Sequence, residues 1–345
     1  MEGGENQDGE IRHARDTATL LPFRQNAPMS RLRPSVDIVI VNWNAGDYLR
    51  RCLESIPPAR TGDFELKRIV VVDNASSDGS TEMKEIPGLS LVIIRNDENK
   101  GFAAACNQGA AGSAADYILF LNPDTQLLPE SLTRPIRFME SSTHSGVGIC
   151  GVKLLDEDGG IATACARFPS LAIYVSQMFG LSRLFPEIFP CHFIPAEELF
   201  HSMEVDQIIG AFFLIRKDLF VTLNGFDERF FVYFEEVDFS LRAKRVGYAS
   251  YFLADVTAMH IGRISSRQAS MMTLYYSLSS RLKYALKHFQ RWEAVLLIIL
   301  TFTLEFVSRI LWAFFGSSVA SVGDVLLAYK RLFVSFFPVD TYAIS

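Results

Sequence analysis

The stretch that decides the fold is Tyr117–Thr125, YILFLNPDT. Tyr117–Leu121 is largely apolar and reads as a buried β-strand. Asn122-Pro123-Asp124 ends it, because proline cannot continue a central strand. A carboxylate is left at the carboxyl end of a parallel strand, where open α/β sheets place their ligands. The same tripeptide is also an ordinary turn and helix cap, so the neighbouring elements have to decide.

Upstream, Val36–Val41 is a β-branched run and the first strand. Asn42–Gly46 follows as a loop, and Asp47–Ile56 reads as a helix stopped by Pro57-Pro58. Ile69–Val72 is a second strand, running into the polar turn Asp73–Ser80, which is expected to open another helix. Leu91–Ile94 is a third strand, followed by Asn96–Phe102 and a small-residue helix, Ala103–Ala111. This alternation predicts an α/β fold with a mostly parallel sheet flanked by helices. Right-handed crossovers bring the strand ends to one edge. Three ends, Asn42–Asn44, Asp73–Asp78 and Asn122–Asp124, are rich in Asn and Asp. Convergent loops of that kind suit a ligand with hydroxyls, a base edge and phosphates. No GxGxxG or GxxxxGK[ST] occurs, so neither a dinucleotide fold nor a P-loop is supported.

Downstream, Val147–Leu155 reads as a strand. Phe168–Ser202 is irregular and aromatic, and suits either a lid over an acceptor or a packed insertion. Ile208–Ile215 reads as one buried strand with Gly210-Ala211 inside it. Glu235, Glu236 and Asp238 open a helix that ends in Arg242, Lys244 and Arg245. Acids first and bases last complement the helix dipole, and Asp238 and Arg242 can pair at i,i+4. Two adjacent carboxylates after the aromatic run Phe230–Phe234 also suit a general base with a raised pKa. Tyr251–Asp255 is a short last strand, and His260 follows it near the edge that holds Asp124.

Composition sets outer limits. The 345 residues can bury a sizeable core, as one large domain or one plus an appendage. The net charge of −6 argues against a general nucleic-acid binder. Five cysteines without a CxxC pair suit reduced thiols in a reducing compartment, not a disulfide frame or a zinc site. No apolar signal region opens the chain. Residues 1–34 mix Gly, Asn, Asp and Arg with little periodicity and read as a disordered tail.

Taken together, these motifs resemble the inverting family 2 glycosyltransferases of GT-A fold, in particular their rhamnosyltransferase-like branch. The residues that carry the resemblance are VIVNWN, VVVDNASSDGS, NKGFAAACNQG, FLNPDT, GFDERFFVYFEEVDFSLRAKRVG and the distal His260. They occur in family order over about Val36–Ser266, so residues 35–266 are expected to form the transferase domain. The resemblance implies that Asp124, the last acid of a DxD motif, binds a divalent metal (Mn2+ or Mg2+) with His260. Asn122 stands where the first acid of that motif would be. Asp73 matches the acid that holds the nucleotide base, with Asn42, Asn44 and Asn74 beside it. Lys100, Gly101 and Asn107 match a segment near the donor. Glu236 falls on the position of the catalytic base, with Glu235 in contention because relatives more often carry Asp there. The implied reaction moves a sugar, with a thymidine diphosphate rhamnose donor as first guess, to a saccharide or lipid-linked saccharide acceptor. The rival reading is a non-catalytic sugar- or nucleotide-binding assembly subunit. The missing first acid favours it, and the Glu235-Glu236 pair and His260 argue against it.

Residues 267–345 lie outside these motifs. Ser270–Trp292 reads as a basic, aromatic helix, followed by the apolar Ala294–Leu304 and Phe306–Phe315. The pure apolar run is shorter than the about 20 residues of a membrane span. Lengthening it places Glu305 and Arg309 inside, each costing roughly 2.5–3.5 kcal/mol at mid-bilayer, although i,i+4 pairing softens that cost. Peripheral attachment to the inner face of the cell membrane is the preferred expectation. A span and soluble packing or a homo-oligomer interface remain open.

Overall fold

The computed structural model describes residues 33–60, 62–82, 86–262, 270–315 and 320–337. The expected tail lies almost wholly outside them. β1 (Ser35–Asn42), α1 (Asp47–Ser55), β2 (Glu65–Asp73), β3 (Leu91–Arg95), α2 (Phe102–Ala110) and β4 (Tyr117–Leu121) alternate as the sequence predicts. These strands are parallel neighbours in the order β3-β2-β1-β4. Every residue of β1 and β4 is buried, as expected of central parallel strands covered on both faces. The register sets Asn42 opposite Asp73, so both polar strand ends share one edge. Helix α2 lies close to that sheet because Gly109 has no side chain. A Cβ there would come within 2.5 Å of Val39 Cγ1.

The next elements are β5 (Thr125–Leu127), α3 (Thr133–Glu140), β6 (Val147–Leu155), β7 (Cys165–Ala166), α4 (Leu171–Met178) and α5 (Leu181–Leu184). Then come β8 (Met203–Val205), β9 (Gln207–Ile208), β10 (Phe212–Arg216), α6 (Lys217–Thr222), α7 (Glu235–Arg245) and β11 (Ala249–His260). The sheet continues β4-β10-β6-β11-β5. It is mixed, because β10 runs antiparallel to both β4 and β6.

Three sequence expectations need correction. Ile208–Ile215 is two strands: β9 pairs with β7 in a small separate sheet, and β10 belongs to the main one. The break falls at Ala211, whose carbonyl accepts from the Asn122 N–H at 3.1 Å. No helix follows Asp73–Ser80 among the described residues; side-chain hydrogen bonds hold that loop as turns instead. The last strand is far longer than Tyr251–Asp255. It runs on through a register shift after Leu253, and its end pairs with β5, setting His260 opposite Thr125.

Helices α8 (Ser270–His288), α9 (Arg291–Phe314) and α10 (Val322–Phe336) form a second layer. α9 contains one π-turn at Thr301–Glu305. Leu171 and Tyr174 of α4 share its apolar core with Leu282, Leu297 and Leu332. The start of the irregular stretch is therefore a packed insertion. α8 is joined to α7 through Asp238, which is fully buried. Its carboxylate accepts from Arg242 Nε and His288 Nε2, each at 2.7 Å, and from Lys287. All five cysteines are unpaired.

Candidate active site

The β1 and β2 ends build a polar cradle. Asn42 Nδ2 donates to Asp73 Oδ1 at 2.8 Å, to Ser80 Oγ at 2.8 Å and to Ser76 Oγ at 3.0 Å. Ser76 Oγ donates in turn to the same Asp73 oxygen, at 2.5 Å. Asp73 is thereby fixed in orientation at the strand end. Asn44, with φ +51°, accepts the Ser77 N–H at 2.8 Å. Asn tolerates this left-handed conformation because its short side chain bonds locally. Beside the cradle an open depression of about 410 Å3 is lined by Asn44, Gly46, Tyr48, Ser77 and Asp78 among others. Asn74 faces the other way: it donates to the Gly101 carbonyl at 3.1 Å and accepts from Asn96 at 2.8 Å.

At the β4 end, Asp124 Oδ1 and His260 Nε2 stand 3.4 Å apart, both largely buried. The short strand β5 makes this meeting, and the Ile261 N–H donates to the Asp124 carbonyl at 3.1 Å. A carboxylate oxygen beside an imidazole nitrogen is a donor pair that a divalent cation accepts. Among the described residues no three or more His, Cys, Asp and Glu side chains are arranged to hold a metal ion by themselves. Two protein donors leave coordination positions open, which fits a cation that also holds substrate phosphates.

Glu235 and Glu236 begin α7 directly after Tyr233 and Phe234, with φ +66° and +71°. Two successive non-glycine residues in the left-handed region are strained, and such strain clusters at functional sites. Glu235 Oε2 and Glu236 Oε2 are buried and have no hydrogen-bond partner. Burial pushes the Glu236 carboxyl up to about 7, against the pull of the Glu236 and Val237 N–H groups. Burial, then the Glu236 charge, pushes Glu235 well above the carboxylate range. A carboxyl poised near neutrality can take a proton from a hydroxyl as it reacts.

The two halves of the site are linked by Gln207–Ala211. Gln207 Nε2 approaches Glu236 Oε1 at 3.5 Å, and Gln207 Oε1 is buried without a partner. Four residues on, the Ala211 carbonyl accepts from Asn122 N and from Thr125 Oγ1, the latter at 3.3 Å. Gln207–Ala211 thus connects the Glu236 side chain to the Asp124 turn through four residues of chain, a span of at most about 14 Å between Cα atoms. Gln207 was not singled out in the sequence. A lone amide heading the apolar run IIGAFFLI was the available signal.

The donor-side segment is placed differently residue by residue. Gly101, with φ +88°, lies against Phe231: a Cβ there would meet the Phe231 carbonyl oxygen at 2.5 Å. The adjacent Phe102 N–H donates to that carbonyl at 2.6 Å. Asn107 is turned into the protein. Its amide donates to the Phe226 carbonyl and to Glu228, and it accepts the Phe226 N–H, each at 2.9 Å. Lys100 is exposed.

The sequence pattern of glycosyl transferase family 2 matches residues 37–177, the span that holds the cradle and the Asp124 turn. The chain carries a glycosyltransferase family 2 domain. This glycosyltransferase is 29% identical over 259 residues to rhamnosyltransferase WbbL of Escherichia coli (strain K12), covering 72% of the chain and 92% of WbbL. It is 26% identical over 236 residues to the N-acetylglucosaminyl-diphospho-decaprenol L-rhamnosyltransferase of Mycobacterium tuberculosis, covering 65% of the chain and 75% of that protein. Among solved structures, the transferase superposes on the mannosyltransferase PcManGT of Pyrobaculum calidifontis in complex with GDP-Man and Mn2+. The TM-score is 0.50 and the identity 13%, over 88% of each chain. GalNAc-T7 with UDP, GalNAc and Mn2+ gives a TM-score of 0.52 and 16% identity, over 73% of this chain and 48% of that one. At that identity the likeness bears on fold alone, and the fold is the GT-A type expected from the sequence.

Proposed function

We propose that this glycosyltransferase moves a sugar, with inversion, from a nucleotide diphosphate donor to a hydroxyl of a lipid-linked saccharide. The observation that carries the reading is the buried Glu235-Glu236 pair, each with an oxygen lacking a partner, tied through Gln207–Ala211 to the turn that carries the Asp124–His260 pair. Glu236 Oε2 accepts the proton of the acceptor hydroxyl as its oxygen attacks the anomeric carbon. The bond from that carbon to the diphosphate oxygen breaks, and its electron pair leaves with the diphosphate. A single displacement inverts the anomeric centre. Asp124 and His260 would hold a divalent cation, Mn2+ or Mg2+, which supplies charge neutralisation beside a leaving diphosphate. Asp73, oriented by Asn42 and Ser76, receives the base, with Asn44 at the rim.

The relatives named as rhamnosyltransferases, one of them for a diphospho-decaprenol substrate, support rhamnose as the sugar and a polyprenyl-linked saccharide as acceptor, with thymidine diphosphate rhamnose as the first donor to test. Such an acceptor implies work at a membrane surface, and a nucleotide sugar donor would place it on the cytoplasmic face. Calorimetric titration with thymidine, uridine and guanosine diphosphates, with and without Mn2+, tests the donor half. One nucleotide is expected to bind in the presence of Mn2+ only. Failure of all three to bind well-folded protein would overturn the reading.

A further inference from the structure

We propose that the outer face of α9 and the segment Phe179–Ile188 form one continuous surface that lies flat on an anionic lipid leaflet. The proposal rests on the reading that the acceptor is lipid-linked. It adds the part of the molecule that meets the bilayer, and it enlists a segment far from the C-terminus in sequence.

The inner face of α9 is fixed to the protein. Ala294, Leu297, Thr301 and Glu305, spaced by three or four, are buried. Arg281 of α8 reaches the middle of the helix: Nη1 donates to Glu305 Oε1 at 3.1 Å and Nη2 to Thr301 Oγ1 at 2.9 Å. A helix inserted across a bilayer would have to leave these buried partners. In place, it presents its other face along its whole length. Trp292, Ile299, Leu311 and Phe314 are between 49% and 75% exposed. Twenty-four residues of helix make a stripe about 36 Å long. Apolar patches of that extent on soluble proteins mark interaction surfaces.

The insertion extends the stripe sideways. α4 packs into the core beneath α9, and the Arg183 guanidinium of α5 sits 5.3 Å over the Trp312 ring. Next to it Leu184 and Ile188 are 69% and 71% exposed. Charge selects the occupant. Residues 267–345 carry eight Lys and Arg against four Asp and Glu, which leaves −10 on the remainder of a chain of net −6. Arg183, Arg291 and Lys330 are exposed on α5, α9 and α10, against one exposed carboxylate in the segment Phe179–Ile188, Glu187, while Arg281 and Lys287 are engaged with Glu305 and Asp238 inside the protein. An apolar face bordered by basic side chains is complementary to an anionic leaflet.

The test is flotation of the full chain with vesicles of phosphatidylcholine alone or with about one-third phosphatidylglycerol. Binding is expected to be tenfold or more stronger, as an order of magnitude (~10-fold), on the anionic vesicles and to weaken with salt. The Leu184→Glu/Ile188→Glu variant should bind roughly tenfold more weakly. Val92→Glu, on the exposed side of β3, should bind as the parent does. Circular dichroism melting of each variant reads the fold separately. Unchanged vesicle binding by the double variant would overturn the proposal. So would a chain that alkaline carbonate does not extract from native membranes, since that marks a span. So would a dimer in light scattering that the double variant splits, since that assigns the surface to a second copy. Transfer to a water-soluble acceptor in any of these cases leaves the catalytic reading intact.

Discussion

Replacing Asp238 by Asn should weaken the whole catalytic corner, and its size follows from the buried cluster around it. Asp238 receives Arg242 within α7, and Lys287 and His288 from α8. Burial pushes its carboxyl up, but hydrogen bonds from His288 and Lys287 and the charge of Arg242 outweigh that and hold it at about 2, against an ordinary 3.8. A shift of that size corresponds to about 2 kcal/mol of differential stabilisation. Removing the charge also leaves Lys287 and Arg242 without their buried partner, which raises the expected loss at neutral pH to about 3 kcal/mol. The carboxyl's folded value lies below its unfolded one. Its contribution is therefore complete above about pH 4 and is lost as pH falls towards 2. Urea unfolding of parent and Asp238→Asn, followed by far-ultraviolet circular dichroism, should show a gap of about 3 kcal/mol at pH 6. The gap should shrink by about 1.5 kcal/mol near pH 2.5. A gap below about 0.5 kcal/mol at pH 6, or one that does not depend on pH, would refute this account of how α7 is held.

Four further outcomes follow from the site. Glu236→Gln should lower kcat by roughly 10²–10⁴ with little change in donor binding. In the parent, kcat should rise with pH through about 7, because the Glu236 carboxyl, pushed up by burial, is protonated below that value; a rate flat between pH 6 and 8 would count against it. Gly101→Ala places a Cβ against the Phe231 carbonyl at a φ of +88°, so thermal melting should report a loss of about 1–3 kcal/mol and kcat should fall with it; an unchanged Tm contradicts the packing. Gln207→Leu removes the amide facing Glu236 and should shift the pH dependence of kcat while leaving donor affinity unchanged, which a pH–rate profile beside a donor titration would show.

The sequence carried the parallel half of the sheet well, because β1 and β4 are buried on both faces and read as continuous apolar runs. Their polar ends were legible for the same reason: Asn and Asp interrupt those runs abruptly. β5 escaped notice because three residues, TQL, show no period. It is nonetheless the strand that sets His260 opposite Thr125, next to Asp124. β11 was foreshortened because its exposure alternates only in part and its ladder shifts after Leu253. The loop after β2 has helix-start chemistry, Ser and Asp before apolar residues, yet Asn42 and Asp73 draw Ser76 and Ser80 into the cradle instead. Asn107 and Asp238 are fixed by partners 119 and 50 residues away, contacts that no local pattern announces. The Glu235-Glu236 pair shows the limit of the pattern in the other direction. Acids at a helix start are ordinary, and only their burial, orphaned oxygens and strained lead-in distinguish these two.

The most direct test of the central claim is a transfer assay with thymidine diphosphate rhamnose and a polyprenyl-diphosphate-linked N-acetylglucosamine acceptor, run on the parent and on Glu236→Gln, with the anomeric configuration of the product read by nuclear magnetic resonance. The site predicts a product of inverted configuration from the parent and a rate at least ~100-fold lower from the variant. A product that retains the donor's configuration, or a variant as fast as the parent, would contradict it.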